Sequence, residues 1–505
     1  MNDFLEKQGV CIRDDVLTTL RHTTAGTSVL SQTALALVPL PGVRGQRCNY
    51  CLRQVELQCC SRCRSAYFCS NECFRNAWLH FHRVLCEPQE YDIYTHVDAD
   101  RWLLERTALT LHSHTRLSKH HSHSPPQLPW QIETLHSLPV PARDTAKPDS
   151  HPIDITAVAE ALHPFGCHIS SEDLDALWHR SQRAAFDIVD HEHHLDRVAV
   201  GVYPLTARYV RHSCRPNCGV VYKRGAQVLV ALEDLPAGAP LTISYTDLIC
   251  TRAERHAALR ARFGQDFVCT CARCTGEYAD LDALLDRPGD PEIVARDRLL
   301  EQCKTWSVLD MTKRYASGLE SRSPTRALDA PNFTHFVSRI IAPEIYRPTD
   351  NRRHQRAKEE HFTLAERILP ALHALSQVPS TPAFSAGHIR AAQNLLMHYM
   401  KHDRWVEASR AALYLFVVYR LIYSPLHPVL SYHSLILARA SWNSLVQLEL
   451  AGIGRKLEKV YLTGIRTWID VAREEVSTTF GQDCSLWREI IELQWVFERD
   501  QKLSK

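Results

Sequence analysis

Cysteine is the residue type whose spacing carries the most chemistry in this chain. Seven of the 18 cysteines and one histidine fall into four pairs: Cys48-x2-Cys51, Cys60-x2-Cys63, Cys69-x3-Cys73 and His82-x3-Cys86. Seven thiols and one imidazole suffice for two closed tetrahedral zinc sites. A two-residue gap lets a tight turn aim both sulfurs at one ion. A three-residue gap puts both ligands on one face of a helix, one turn apart. Two exchanges fit the same region, Cys59 for Cys60 and His80 for His82. Cys60 is preferred for its spacing to Cys63, and His82 for its helical spacing to Cys86. A stretch of about forty residues buries too little apolar surface to fold alone, so metal would supply the missing stability. A later triplet, Cys269-x-Cys271-x2-Cys274, needs a fourth ligand to close a third site.

The elements that must position these residues are legible in outline. Ala25 to Leu30 and Ala34 to Pro39 read as β structure, with Gly26 at a turn. Ser171 is a candidate cap for a helix running through Leu174, Leu177 and Trp178. Phe186–Val189, Val198–Val202, Gly219–Tyr222, Val228–Leu232 and Leu241–Tyr245 are short apolar or β-branched runs. Arg224-Gly225 and Pro236-Ala237-Gly238 punctuate them as turns. From about residue 277 the period becomes helical, as in Leu395, Leu396, Tyr399, Trp405, Ala408, Ala412, Leu415 and Phe416. Breaks at Lys401–Arg404 and Ser424–Pro428 predict stacked antiparallel helices. The His-, Ser- and Pro-rich tract at 109–150 reads as a disordered insertion.

Composition narrows the function classes. The formal net charge of +2 gives no bulk pull toward nucleic acid or acidic membrane. Residues 44–86 hold seven arginines against two glutamates. Seven thiolates with two zinc dications offset that to a formal +2, a weak patch that argues against a nucleic-acid footprint. No run of 18 apolar residues occurs, and Ala411 to Tyr423, which contains Arg420, reads as a buried helix. No membrane partner is expected. The N-terminus shows no basic start followed by an apolar stretch, so no signal peptide is expected. Clustered cysteines then favour metal over disulfides, and the expected compartment is cytoplasm and/or nucleus. Cys11, Cys59, Cys167, Cys218, Cys250, Cys303 and Cys484 are left as free thiols. His191, His193 and His194 read as surface histidines.

The first cysteine cluster resembles the MYND zinc finger. The resemblance implies interleaved pairs, with Cys48, Cys51, Cys69 and Cys73 on one ion and Cys60, Cys63, His82 and Cys86 on the other. It also implies binding of proline-rich peptides. Three further features, in order, resemble a SET domain. They are His212-Ser213-Cys214-Arg215-Pro216-Asn217, then Ile243-Ser244-Tyr245, then Cys269, Cys271 and Cys274. Val200-Gly201-Val202-Tyr203-Pro204 is similar to the strand entering the first of them. The order of modules resembles the SET-and-MYND (SMYD) lysine methyltransferases over most of the chain, with 1–25 and 109–150 the exceptions.

The fold implied is α+β. A β-rich SET fold is interrupted by a MYND zinc module and followed by an α-helical, tetratricopeptide-like C-terminal region, although no clean 34-residue repeat is visible. The corresponding segments are 1–47 (first part of a split SET domain), 48–86 (MYND finger), 87–185 (insertion), 186–247 (core SET), 248–276 (post-SET zinc segment) and 277–505 (helical). Three zinc ions are implied, the third held by Cys214 with Cys269, Cys271 and Cys274. The activity implied is transfer of a methyl group from S-adenosylmethionine to a protein lysine. Tyr245 would be catalytic, Tyr209, Val210, Arg211 and His212 would hold the cofactor, and Phe267 would line its pocket. A monomer with a protein substrate is expected.

Three positions depart from the family's pattern. No Gly-x-Gly turn occurs in residues 1–25, Arg211 stands where the family has Asn, and Ala184 stands where it has a second Asn. These departures support an alternative, a SET-MYND scaffold that binds partners through the finger and the helical tail with weak or no catalysis.

Overall fold

The computed structural model describes residues 1–86, 98–117, 128–140, 153–190, 195–276, 281–282, 285–286, 385–424, 426–450 and 458–503. His191, His193, His194, Cys303 and most of 277–384 lie outside the described residues.

Helix α1 (Asn2–Lys7) buries Leu5 and leads into strands β1 (Val10–Arg13) and β2 (Val16–Thr19). They pair antiparallel, Arg13 opposite Val16. The turn between them is Asp14-Asp15, at φ 48° and 63°. Left-handed backbone at both turn positions suits the twist of a two-residue hairpin, and Asp tolerates it better than most residues. The hairpin thus closes without glycine. Strands β3 (Ser28–Gln32) and β4 (Ala36–Pro39) follow Gly26, whose φ is +82°.

The cysteine-dense module is built from β5 (Gln58–Cys59), β6 (Tyr67–Phe68) and α2 (Asn71–Ala77). Helix α2 widens into a π-turn at Trp78–His82 and ends in the short α3 (Arg83–Leu85). The Ser70 hydroxyl caps α2 by accepting from the Cys73 N–H at 3.2 Å.

Four helices come next: α4 (Ala99–Leu117), α5 (Leu128–His136), α6 (Ile155–Leu162) and α7 (Ser171–Ala184). The first two correct the expectation of disorder at 109–150 where that tract is described; 118–127 and 141–150 lie outside. The polar composition misleads because the hydroxyls are satisfied inside the helix. Thr110 donates to the Arg106 carbonyl and Ser113 to the Thr110 carbonyl, while Leu109 packs in the core. Trp130 stacks on Phe4 at 5.1 Å, and Gln131 donates to the Thr33 carbonyl at 2.6 Å. The cap of α7 is Ser170, accepting from Asp173 N–H, rather than Ser171, which is the first helical residue. Both serines fit the cap preference, and the capping hydroxyl sits one residue earlier than spacing alone suggests.

The β-rich segment holds β7 (Ala185–Val189), β8 (Arg197–Val202), the helix α8 (Pro204–Tyr209), β9 (Arg211–His212), β10 (Cys218–Lys223), β11 (Ala226–Ala231) and β12 (Thr242–Ile243). Two three-stranded sheets form, in the orders β4-β8-β7 and β10-β11-β3. The β10–β11 hairpin turns at Arg224-Gly225, both left-handed. Strands β9 and β12 pair in parallel, Ile243 opposite His212. A parallel pair requires a crossover, so the chain travels through β10 and β11 before returning beside His212. The remainder is helical: α9 (Arg252–Phe263), α10 (Ala272–Thr275), α11 (Ala386–Lys401), α12 (Trp405–Ile422), α13 (Pro428–Leu450), α14 (Glu458–Thr479) and α15 (Ser485–Leu503).

Consecutive helices α11 to α15 pack on one another. Ala411 to Phe416 are all buried, which covers α12 on every face and agrees with reading it as a core helix. Among the described residues no helix is long and apolar enough to cross a membrane. One apolar cluster joins Cys214, Val221 and Leu248 to α11, α12 and α13, so the helical tail shares a core with the β-rich part.

Gly26 marks this junction. A Cβ there would stand 2.4 Å from Thr478 Cγ2, on a backbone already at φ +82°. Gly26→Ala is expected to destabilise the chain by about 1–3 kcal/mol through left-handed strain and overpacking. Thr478→Ser in the same background removes the clashing methyl and should recover part of the loss, as read from urea midpoints.

Candidate metal centres and the site around Tyr245

The structure gathers three ligand groups among the described residues. Cys48, Cys51, Cys69 and Cys73 form one, Cys60, Cys63, His82 and Cys86 a second, and Cys214, Cys269, Cys271 and Cys274 a third, the four ligand atoms of each lying within 4.8 Å of one another. Sulfur separations are 3.5 Å for Cys51–Cys69, 3.6 Å for Cys69–Cys73, 3.8 Å for Cys60–Cys86 and 3.7 Å for Cys214–Cys274. A tetrahedral ion with Zn–S bonds of about 2.3 Å sets its sulfurs about 3.8 Å apart, whereas a disulfide needs about 2.05 Å. The spacing therefore fits zinc. Both open choices are resolved by position. Cys59 is exposed and lies outside every group, as does His80, which packs against Tyr50 with ring centres 6.2 Å apart.

The finger's stability follows from this arrangement. The 60/63 pair sits on the turn between β5 and β6, and the 69/73 pair opens α2. Each centre thus takes ligands from two separated pairs, and the two interleave along the chain. His82 Nε2 lies 3.8 Å from Cys63 Sγ, and its ring is walled edge-on by Phe68, Phe74 and Trp78.

The third centre has a built surround. With four thiolates it carries a formal −2 when zinc is bound. Beside it Arg255 and Arg273, both buried, share the Asp282 carboxylate at 2.8 and 2.9 Å. Arg273 also donates to the Leu248 carbonyl at 3.0 Å, which ties the centre to the loop after β12. The Cys214 N–H donates to Cys271 Sγ at 3.4 Å. Two imidazoles touch the cluster, His256 Nε2 to Cys274 Sγ and His212 Nε2 to Cys214 Sγ, each at 3.3 Å.

His212 connects the metal centre to Tyr245. The Tyr245 N–H donates to His212 Nδ1 at 3.2 Å. Nδ1 is then the acceptor, so Nε2 carries the proton and donates to the Cys214 sulfur. Burial pulls the imidazole down to about 4, which keeps this neutral tautomer at physiological pH.

The Tyr245 hydroxyl lies 2.8 Å from the Thr206 carbonyl oxygen and 2.9 Å from that of Val210. One hydroxyl proton serves one carbonyl at a time, and the three oxygens lie within hydrogen-bonding reach of one another through it. The ring is enclosed by Phe263 edge-on at 5.1 Å, Phe186 at 5.5 Å and His212 at 6.2 Å. Burial raises its phenol above the ordinary range, so the hydroxyl stays protonated. Phe267 stacks on Phe263 at 4.9 Å and is one ring removed from Tyr245. Tyr209 lies under the Arg208 guanidinium, which pairs with Asp15 at 2.5 Å. Val210 is buried and Arg211 exposed, so the Arg211 cation is solvated rather than confined. Ala184 is fully buried. A cleft of about 700 Å³ opens beside Tyr245, between the β-rich part and the start of α13. Phe186, Tyr222, Tyr245, Arg262, Tyr423 and Pro428 are among its walls.

With this geometry in hand, the likeness to known proteins is specific. The SET domain family model matches residues 84–246, and the MYND finger model matches residues 48–86. The chain thus carries a MYND finger followed by a SET domain. The human N-lysine methyltransferase SMYD2 is 28% identical over 260 residues, 50% of this chain and 56% of that protein. The mouse histone-lysine N-methyltransferase SMYD3 is 30% identical over 266 residues, 51% of this chain and 58% of that protein. The human SMYD3 is 28% identical over 298 residues, 57% of this chain and 65% of that protein. The chain thus spans less than two thirds of the length of each of these relatives. Sequence reasoning did not single out Arg255, Arg273, Asp282, Thr206 and Arg262. Only tertiary packing turns them from ordinary surface-type residues into neighbours of the site.

Cys214→Ser is expected to lose one of the three zinc ions per chain. Cys59→Ser should keep all of them. Elemental analysis of the purified variants reads both, and loss of zinc from Cys59→Ser would reassign the second centre.

Proposed function

We propose that this SET-and-MYND protein transfers a methyl group to the ε-amine of a lysine in a protein, using S-adenosylmethionine. The observation that carries the reading is the convergence of the Tyr245 hydroxyl with the Thr206 and Val210 carbonyl oxygens, inside aromatic walls and at the edge of the cleft. The relatives' names support it, being those of lysine methyltransferases.

S-adenosylmethionine supplies an electrophilic methyl group on a sulfonium. The three oxygens offer partial negative charge where such a methyl would sit, through C–H···O contacts. Catalysis of this transfer is chiefly positioning, because the amine, the methyl carbon and the sulfur have to lie in line. The amine must be neutral to attack. Burial among Phe186, Phe263 and Tyr245 disfavours the charged form of a lysine and so assists. The amine gains the methyl as the carbon–sulfur bond breaks, and its extra proton leaves to water. Val210 and His212 bond Tyr245, and with Tyr209 at the end of α8 they are assigned to cofactor contact, with the exposed Arg211 at the rim and Phe267 behind Phe263. The His212 bridge holds the Tyr245 backbone to the third zinc centre.

The MYND finger is a protein-interaction module, and we assign it proline-rich peptides of partner proteins. Cytoplasm and/or nucleus is the compartment in which reduced zinc-bound thiols persist.

A second reading, a scaffold with weak or no catalysis, is favoured by specific features. The first hairpin turns on Asp14-Asp15 rather than glycines, and its Asp15 is engaged by Arg208. Ala184 offers no side-chain hydrogen bond.

The two readings separate by calorimetry with S-adenosylmethionine on zinc-replete protein, followed by Tyr245→Phe. Micromolar binding, with transfer falling about 10²-fold or more in Tyr245→Phe, is the expected result. Cofactor affinity and melting temperature should change little, since a single hydroxyl contributes roughly 1 kcal/mol. Unchanged turnover in the variant removes Tyr245 from the chemistry. Absence of cofactor binding moves the assignment to the scaffold.

A further inference from the structure

Arg262, the penultimate residue of α9, places a cation against the walls of the Tyr245 site. Its guanidinium carbon lies 4.7 Å from the Phe186 ring centre and 4.9 Å from that of Tyr245. Both rings face the cleft, and so does Arg262 itself. One terminal nitrogen donates to the Arg183 carbonyl at 2.9 Å and to the Ala185 carbonyl at 2.7 Å. These carbonyls close the C-terminal end of α7, where a helix leaves acceptors unpaired and carries partial negative charge. Among the described residues no carboxylate pairs with Arg262, and its Nε has no hydrogen-bond partner. A second guanidinium, that of Arg183, stands over Phe263 at 5.1 Å and donates to the Phe263 carbonyl at 3.4 Å.

An unpaired buried charge is unfavourable unless something else compensates it. Here the compensation comes from two aromatic faces and two backbone carbonyls. Aromatic faces attract alkylammonium ions by the same quadrupole that holds this guanidinium. The walls can therefore serve the chain's own cation or an incoming one. They cannot serve both at once, because two like charges on the same two ring faces repel.

We propose that Arg262 is an internal plug, its guanidinium holding the place between Phe186 and Tyr245 that an alkylammonium side chain would take. The cleft accepts a lysine only when Arg262 is displaced. The consequence for turnover rests on the reading of Tyr245 as the site of methyl transfer; the competition for the aromatic walls does not.

The test measures binding of n-butylammonium, with n-butanol as its neutral counterpart, by saturation-transfer NMR on the full chain. Wild type, Arg262→Ala and Arg262→Met are compared after zinc content and cooperative melting have been matched. Methionine keeps much of the volume without the charge, so it serves if the alanine variant does not fold. The expected result is roughly tenfold tighter n-butylammonium binding in the variants, with n-butanol nearly unchanged. Equal n-butylammonium affinity in all three proteins overturns the plug. So does an equal gain for n-butanol, which would report only an opened hole. Transfer from S-adenosylmethionine to polylysine is measured alongside. A gain in transfer that disappears in the Tyr245→Phe, Arg262→Met double variant supports both proposals. Gained n-butylammonium binding with no transfer in any variant keeps the plug and removes the methyltransferase reading.

Discussion

Four sulfurs from parts of the chain up to 60 residues apart have to meet at one point, and the rest of the site depends on that meeting. Cys214 ends the turn after β9, while Cys269, Cys271 and Cys274 belong to the segment after α9. Joining them fixes the segment that leaves α9, and with it Phe267, which packs on Phe263. The same centre reaches Tyr245 through one imidazole, since His212 bonds the Cys214 sulfur on one side and the Tyr245 backbone on the other. A thiolate cluster of formal −2 also has to be tolerated inside the protein. The buried Arg255 and Arg273, themselves held by Asp282, provide the neighbouring positive charge. The cysteine centre, the His212 imidazole and the Tyr245 ring are therefore one connected structure rather than separate features.

The helical tail extends the same constraint. Cys214 and Leu248 share an apolar cluster with α11 to α13, so the tail packs onto the zinc-bearing side of the SET core. Two glycines let the surfaces approach: Gly26 beneath Thr478 and Gly219 beneath Pro428, where a Cβ would stand 2.4 and 2.9 Å from its nearest neighbour. The cleft beside Tyr245 is formed where this packing stops short. Its shape is thus set by how α13 begins, at Pro428, as much as by the strands that line it.

What could be read from the residues was whatever local geometry encodes. Zinc pairs are visible because two ligands two or three residues apart must share an ion, and the grouping of Cys60 with Cys63 and of His82 with Cys86 follows that rule. Strands and turns at Arg224-Gly225, and the buried character of Ala411 to Phe416, are likewise local patterns. The described parts of the 109–150 tract were misread because composition does not reveal where hydroxyls point; Thr110 and Ser113 bond back along their own helix and leave Leu109 to the core. The Asp14-Asp15 turn was missed because the backbone's need for left-handed residues was met by a less common choice than glycine. Arg262 was invisible for a different reason. On a helix such as α9 an arginine three positions past the buried Leu259 is ordinary, and only the arrival of β7 and Tyr245 beside it confines the charge.

That confinement also explains how one residue can serve structure and gating together. Arg262 supplies the missing donors at the end of α7, so withdrawing it from the aromatic walls leaves the Arg183 and Ala185 carbonyls without their partner. Opening the site is therefore coupled to the junction of α7 and β7, the same junction at which Ala184 replaces a polar residue. A segment that binds in the cleft must compensate those carbonyls or let water reach them before its own cation can enter. Selectivity in this protein would then reside less in the oxygens around the Tyr245 hydroxyl, which backbone geometry holds in place, than in the stability of the arginine that lies over the Phe186 and Tyr245 rings.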